Sequence, residues 1–142
     1  MVLEVTSSAE LLARDFATLP DLLAAHARER PERRALVDGS DTLSYSGLYG
    51  LTSRIAAGLH RDGVAQRSPI AIIAATHVKS TSIFLGALQA GCVPTPMAPS
   101  STPDQLAGMI ADSGAPIVFV DADIAAVLPA VPAKVIQIEA LD

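Results

Sequence analysis

The sequence has little of what several functional classes require. It contains one cysteine, and ten lysine and arginine residues against fifteen aspartate and glutamate residues, which gives a net charge of −5. A single cysteine excludes an intrachain disulfide and fits a reducing compartment. The acidic balance argues against nucleic acid as a principal partner, because phosphate neutralisation needs clustered cations.

Long hydrophobic runs are also missing. The longest apolar stretches, at residues 70–75 and 124–131, are shorter than the ~20 residues that a membrane-spanning helix needs. Glu4, Glu10 and Asp15 interrupt the region where a secretory signal would need an unbroken apolar run. We therefore expect a soluble, cytoplasmic protein without a membrane span.

The sequence shows no self-contained nucleotide or metal site. A dinucleotide-binding fold needs glycines where its first strand turns into a helix, but the corresponding turn here reads Ala75-Thr-His-Val-Lys79. No Gly-x-x-x-x-Gly-Lys segment is present, and His26, His60 and His77 are too far apart in sequence for ligand spacing. We assign no catalytic, cofactor-binding or metal-binding residue, and expect no cofactor bound to these residues alone.

The first half of the chain predicts two helices around a hairpin. With 142 residues, half of them hydrophobic, the chain has the size of one domain. Residues 1–15 resemble a tail, and a helix is predicted near 20–30, followed by a hairpin over 35–45. Ser44 or Ser46 can cap the next helix, which Gly63 ends. Its apolar positions recur at three- and four-residue steps: Leu48, Leu51, Ile55 and Leu59.

Buried strands and helices alternate in the second half. Continuous apolar segments, unlike alternating ones, predict strands that are covered on both faces. The predicted elements are a strand at 69–75, a helix at 79–90, a strand at 92–95, a helix that Thr102 and Gln105 cap and that ends near Ser113, a strand at 117–120, a short helix that Asp121 caps and a strand at 134–138. This order predicts an α/β fold with an open, mostly parallel sheet and helices on its faces.

His77 and Lys79 are the best candidates for a ligand site. They follow the strand at 69–75, and open α/β sheets commonly bind ligands at the carboxyl edge of their strands. The alternative is a polar turn that enters a helix and needs such residues only for solubility.

Other polar residues have structural explanations beside the functional ones. Cys92 has no basic neighbour and is expected to be a buried structural thiol. Asp121 and Asp123 could form a metal pair, but Asp121 is better explained as a helix cap. The segment Ser100-Ser101-Thr102 could suggest a phosphate loop, but it lacks glycine and has a capping role.

Four arginines form either an anion site or, as we prefer, a solvated helix end: Arg28, Arg30, Arg33 and Arg34.

Five segments in series resemble the adenylate-forming enzymes, the AMP-forming acyl-CoA synthetase/ligase family. They are Thr42-Leu-Ser-Tyr-Ser-Gly-Leu48, Arg54-Ile-Ala-Ala-Gly-Leu59 with Gly63-Val64, Ile70-Ala-Ile72, Ala87-Leu-Gln-Ala-Gly-Cys-Val-Pro94, and Thr102-Pro-Asp-Gln-Leu106 with Asp112-Ser-Gly114. The chain departs from the family pattern at Gly47, at Arg67-Ser68-Pro69 and at Gln89, positions that affect local stability and surface charge. None of these segments alone is specific for the family, but the occurrence of all of them in the family's order and spacing is.

The resemblance implies both a fold and a reaction. Residues 18–142 would be the N-terminal α/β subdomain of an acyl-CoA ligase, after an N-terminal extension at 1–17. The full-length enzyme would use ATP and Mg²⁺ to convert a small carboxylic acid, such as a fatty or aromatic acid, into an acyl-adenylate and then pass the acyl group to CoA. The family's phosphate-binding loop and catalytic lysine lie beyond residue 142, so we expect a truncated chain that is inactive alone and whose partner is the remainder of its own chain.

Two alternatives remain open. The acceptor could be a carrier protein, as in the adenylation domains of peptide synthetases, because the residues present do not distinguish it from CoA. A short, non-catalytic binding module is the other alternative. The apolar strand that ends at Ile138 is followed by no predicted segment that would cover the edge of the sheet, as we would expect in a natural short module. This argues against the binding module and predicts self-association through an exposed sheet edge or helix face.

Overall fold

A computed structural model describes residues 5–141 of the protein; residues 1–4 of the predicted extension and Asp142 lie outside the described residues. The elements are α1 (Ser8–Leu12), α2 (Leu19–Glu29), β1 (Arg34–Asp38), β2 (Asp41–Ser44), α3 (Tyr45–Arg61), β3 (Pro69–Ile73), α4 (Val78–Gln89), β4 (Val93–Pro96), α5 (Pro103–Ser113), β5 (Ile117–Val120), α6 (Ala122–Val127) and β6 (Lys134–Gln137), followed by a 3₁₀ turn (Ile138–Ala140). From α2 onward these match the predicted elements, with ends shifted by one or two residues.

The strands form two sheets. β1 and β2 pair as an antiparallel hairpin, and the other four strands form a parallel sheet in the order β4-β3-β5-β6. In its centre Ile70 pairs with Ile117, and Ile72 pairs with Phe119. The predicted α/β fold with an open parallel sheet and helices on its faces is confirmed.

Each face of the parallel sheet has its own core. Ile70, Ile72 and Phe119 face α3 and α4, while Ile73 and Val118 face α5 and α6. All five side chains are at most 5% exposed. Burial on both faces explains why β3 and β5 are continuous apolar runs without polar alternation.

The packing of α3 against α4 differs from the prediction at two positions. Leu48 and Leu59 are buried as predicted, but Leu51 and Ile55 are only half-buried, and Thr52 and Ala56 occupy the buried positions between them. A Cβ atom built on Gly86 of α4 would lie 2.6 Å from the Cγ2 atom of Ile55. The two helices therefore approach closely at Gly86, whose lack of a side chain leaves room for Ile55.

The predicted extension contains a helix. Ser7 and Glu10 form a capping box that starts α1: the Ser7 amide donates to Glu10 Oε2 (2.7 Å), and the Glu10 amide donates to Ser7 Oγ (3.2 Å). The Ser8 amide donates to Glu29 Oε1 of α2 (2.7 Å). The segment that resembled a tail is thus tied to the domain over residues 8–12. No helix within residues 5–141 has both the length and the apolarity that crossing a membrane requires.

Candidate functional site

The carboxyl edge of the parallel sheet contains a topological switch point between β3 and β5. β3 leads into α4 on one face of the sheet, whereas β5 leads into α6 on the other face. When neighbouring strands send their helices to opposite faces, their carboxyl ends diverge and leave a crevice. Such a crevice is where open α/β sheets bind ligands, and it is the strongest candidate site in the described residues.

His77 enters this crevice from the turn after β3. It is the N-cap of α4: its Nδ1 atom accepts a hydrogen bond from the Ser80 amide (3.1 Å), and Ser80 Oγ accepts one from the His77 amide (3.0 Å). Because Nδ1 is an acceptor, the neutral ring carries its proton on Nε2. That Nε2–H donates to Asp121 Oδ1 at 3.0 Å.

Asp121 reaches the same crevice from the end of β5. Its second carboxylate oxygen, Oδ2, accepts a hydrogen bond from the Ala75 amide (2.8 Å), and its own amide donates to the Ile73 carbonyl (3.2 Å). We name the side chains of His77, Ser80 and Asp121, together with the Ala75 amide, the crevice lock. It joins the two diverging loops across the switch point, so both strand ends are held by side-chain hydrogen bonds.

The predicted capping role of Asp121 is wrong. Asp121 precedes α6, but its side chain makes no capping hydrogen bond. Instead, Glu139 Oε1 accepts from the Ala122 amide (3.1 Å), and Asp123 Oδ1 accepts from the Ile124 amide (2.9 Å). The sequence could not predict this exchange, because the carboxylate of Asp121 binds Ala75 and His77 in the turn between β3 and α4, which is distant in sequence.

Lys79 lies outside the crevice lock. Its Nζ atom donates to the Leu141 carbonyl at 2.8 Å, and its side chain is exposed. The structure therefore separates the two residues that the sequence predicted as one candidate site. His77 belongs to the crevice, whereas Lys79 holds the segment that follows β6.

Thr102 and Cys92 have the structural roles predicted for them. Thr102 and Gln105 form the expected capping box at the start of α5. Cys92 is 5% exposed, and burial raises the pKa of its thiol, which opposes formation of a reactive thiolate.

Two residues of the arginine run contact α1 and the segment before it. Arg28 donates to the Thr6 carbonyl (3.0 Å), and Nη2 of Arg30 lies 3.5 Å from Ser8 Oγ. These two arginines therefore hold neighbouring protein groups, a role that neither interpretation of the run predicted. Within the described residues, no three His, Cys, Asp or Glu side chains form a group that could hold a metal ion.

The crevice lock limits the chemistry of its own members. Both ring nitrogens of His77 and both carboxylate oxygens of Asp121 already have hydrogen-bond partners. His77 therefore has no free lone pair with which to act as a general base. Beside it, an open pocket of about 350 Å³ lies between the turn after β3 and the hairpin, with Thr76, His77 and Thr81 facing Leu36 and Val37.

The sequence contained one signal that could have found the crevice lock. Asp121 directly follows β5, and His77 lies four residues after the end of β3. The pairing of these residues becomes predictable only when β3 and β5 are known to be neighbours. That order requires the chain to place β4 on one side of β3 and β5 on the other, which local periodicity does not reveal.

Comparison with known proteins gives a consistent set of relatives. The profile of a family described as AMP-binding enzyme matches residues 23–142. The chain is 32% identical over 109 residues to 4-coumarate–CoA ligase 5 of Oryza sativa subsp. japonica, a match that covers 75% of this chain and 20% of the relative. It is 30% identical over 119 residues to syringomycin synthase SyrB1 of Pseudomonas syringae pv. syringae, covering 84% of this chain and 19% of the relative. The chain thus spans about a fifth of the length of these curated relatives.

A solved structure shows the same fold. The fatty acyl-adenylate ligase from L. pneumophila, in complex with acyl adenylate and pyrophosphate, superimposes with a TM-score of 0.77 at 22% sequence identity. The match covers 88% of this chain and 24% of that one.

Proposed function

We propose, from the premise that this chain belongs to the AMP-binding enzyme family, that it forms the N-terminal part of an ATP-dependent ligase that activates a carboxylic acid as its acyl-adenylate. The observation that carries the proposal is the continuous family match over residues 23–142, which includes every element from the body of α2 to β6. A relative named as a CoA ligase supports CoA as the acceptor of the acyl group.

The proposed reaction has two steps. A carboxylate oxygen of the substrate attacks the α-phosphorus of ATP, the bond to the bridging oxygen breaks, and pyrophosphate leaves with its electron pair. A thiolate sulfur then attacks the acyl carbonyl, and AMP leaves. Mg²⁺ would offset the phosphate charge in the first step, and the reaction would take place in the cytoplasm, where ATP is available.

The crevice lock does not fit Mg²⁺, and it occupies one of the amides that a phosphate group at the start of α4 would use. Both carboxylate oxygens of Asp121 are engaged within the crevice lock, and the Ser80 amide at the start of α4 is taken by His77. A phosphate group at that helix end would need free amides, and Mg²⁺ would need free carboxylate oxygens. We therefore assign no step of the reaction to these residues, and propose that they support a site built by the rest of a longer protein.

A carrier-protein thiol is the second candidate acceptor. The similarity to syringomycin synthase SyrB1, and to a linear gramicidin synthase of Brevibacillus parabrevis at 31% identity over 123 residues, favours this alternative. Both alternatives share the first step, and they differ only in which thiol accepts the acyl group.

The first step is tested by isotope exchange between labelled pyrophosphate and ATP. The protein expressed from the whole coding sequence that contains these residues should show exchange that depends on an added carboxylic acid, with fatty and aromatic acids in the panel. The 142-residue chain, assayed beside it, should show none. If the whole protein gives no exchange with any acid, the ligase proposal is wrong; exchange by the 142-residue chain would contradict the supporting role assigned to it.

The second step requires a separate measurement. The active whole protein is supplied with CoA or with a purified carrier protein bearing its phosphopantetheine arm, and thioester formation is followed by mass spectrometry. Acylation of CoA supports the leading proposal, and acylation of the carrier protein alone supports the alternative.

A further inference from the structure

The imidazole ring of His77 lies between a hydrogen-bond donor and a hydrogen-bond acceptor. The Ser80 amide donates to its Nδ1 atom (3.1 Å), and its Nε2–H donates to Asp121 Oδ1 (3.0 Å). Histidine is the side chain that ordinarily gains or loses a proton between pH 5 and 8. A second proton would be added to Nδ1, because Nε2 already carries one. The two contacts of the ring must therefore respond differently to that proton.

The cap of α4 depends on the unprotonated Nδ1 atom. A protonated Nδ1 atom is a donor, and it would face the Ser80 amide, which is also a donor. This amide belongs to the first turn of α4, where the helix itself supplies no carbonyl, and within residues 5–141 Nδ1 is its one hydrogen-bond partner. The reciprocal bond from the His77 amide to Ser80 Oγ does not involve the ring. A second proton thus removes one half of the capping box and leaves the Ser80 amide unpaired.

The link from His77 to Asp121 does not depend on Nδ1. Nε2 keeps its hydrogen in both forms of the ring, and a bond from an imidazolium to a carboxylate is stronger than one from a neutral ring. The Asp121 carboxylate is also fixed from its other side, where Oδ2 accepts from the Ala75 amide at 2.8 Å. The link across the crevice is therefore kept by the same proton that removes the cap.

The charged groups around the ring are compatible with a positive charge on it. Besides Asp121, the ionisable residue that lines the pocket beside the ring is Asp38 of β1, and among the described residues no cation lines that pocket. The neighbouring cation along the chain, Lys79, has its Nζ atom on a backbone carbonyl after β6. Asp123 and Glu139, on the far side of Asp121, accept from backbone amides of α6. Two carboxylates therefore face the ring from β1 and from the end of β5.

We propose that His77 is a proton-operated cap, which releases the first turn of α4 in mild acid while the ends of β3 and β5 stay joined. In the neutral form all members of the crevice lock act together. In the protonated form the ring, Asp121 and the Ala75 amide remain connected, and the Ser80 amide becomes free at the carboxyl edge of the sheet. This inference concerns the crevice itself and does not depend on the proposed enzymatic function.

NMR of the native chain between neutral pH and about pH 5 tests the proposal, because aspartate and glutamate ordinarily titrate nearer pH 4 and stay charged in this range. The ¹⁵N shifts of the His77 ring should show the Nε2–H tautomer at neutral pH and report its second proton in acid. Over the same titration we expect the protection of the Ser80 amide against hydrogen exchange to fall by about fivefold or more, the loss that removal of a helix cap produces. The protection of the Ala75 amide should not change.

His77→Asn is the matched control, because asparagine caps a helix but does not titrate, and His26 and His60 remain in the variant. The protection of the Ser80 amide should then be independent of pH; a fall equal to that of the native chain would assign the effect to other groups and overturn the proposal. The native chain alone gives three further contrary results. They are a proton on Nδ1 at neutral pH, a Ser80 amide that stays protected after the ring has titrated, and a ring that stays neutral until the chain unfolds. Loss of protection at Ala75 together with Ser80 would show that the whole lock opens, which also contradicts the proposal.

Discussion

His77 Nε2 lies 3.0 Å from Asp121 Oδ1, although the two residues are 44 positions apart. Each side chain also holds its own neighbourhood, because His77 caps α4 and Asp121 binds the Ala75 amide. The bond therefore connects two loops that the sheet topology would otherwise direct to opposite faces. Since the two side chains are only 28% and 16% exposed, water competes weakly for it.

Replacing His77 separates its two contributions. His77→Ala removes the helix cap and the link to Asp121, so we expect a loss of about 1–3 kcal/mol in the free energy of unfolding. His77→Asn restores a good capping residue but is too short to reach Asp121, so it should recover only the capping part. Urea unfolding of the three proteins measures both differences.

Asp121→Asn provides the check on this interpretation. The amide keeps the size of the side chain but only one acceptor oxygen, so its NH2 group must face either the Ala75 amide or His77 Nε2–H, both of which are donors. The variant should therefore be less stable than the native protein while the Ser80 cap of His77 remains. If His77→Asn and the native protein unfold at the same urea concentration, the contact with Asp121 contributes nothing and the crevice lock is only a helix cap.

The difference between what the sequence predicted and what it missed follows from the range of the interactions. Thr102 and Gln105 lie within one helical turn, so their capping box was predictable from spacing alone. The apolar runs of β3 and β5 were equally informative, because burial on both faces leaves no polar alternation.

Asp121 was misassigned because its side-chain partners come from the turn between β3 and α4, and no local pattern gives the strand order that brings them together. The burial of Thr52 and Ala56 in place of Leu51 and Ile55 has a similar cause. It depends on Gly86 in another helix, and a helical repeat in α3 contains no information about its partner.

Gly86→Ala should destabilise the contact between α3 and α4. The new Cβ atom would lie 2.6 Å from Ile55 Cγ2 and 2.7 Å from Ile55 Cβ, distances at which the helices must shift. We expect the overlap to outweigh the gain in helix propensity and to lower the free energy of unfolding by about 1–3 kcal/mol. Thermal and urea unfolding measure the change.

Gly108→Ala in α5 is the matched control. No atom lies within 4 Å of a Cβ atom at Gly108, so this variant gains helix propensity without overlap and should be more stable by up to about 1 kcal/mol. The double variant Gly86→Ala with Ile55→Ala should relieve only part of the overlap, because it removes the Cγ2 atom at 2.6 Å but keeps the Cβ atom of residue 55 at 2.7 Å. If Gly86→Ala proves as stabilising as Gly108→Ala, the close approach of the two helices is wrong.

The attachment of α1 to α2 should depend on pH through Glu29. The Glu29 carboxylate accepts hydrogen bonds from the side chain and the amide of Ser8, and these lower the pKa of Glu29 from its usual 4.5. A carboxyl group whose pKa is lower in the folded state stabilises that state above the unfolded pKa, and the contribution is lost as pH falls through the folded pKa. α1 should therefore be held at neutral pH and released in acid below about pH 4.5.

Amide exchange and chemical shifts of Ser8 and Leu11, followed by NMR from neutral to acidic pH, measure the release. Glu29→Gln removes the titrating group while keeping an acceptor oxygen, so α1 should be looser at neutral pH and should no longer respond to acid through this residue. Glu10 complicates the profile, because hydrogen bonds from Ser7 lower its pKa in the same direction. Glu10→Gln therefore serves as the comparison. If the pH midpoint for the release of α1 is kept in Glu10→Gln but lost in Glu29→Gln, the pH dependence belongs to the contact between α1 and α2. The reverse result would assign the pH dependence to the capping box of α1 itself.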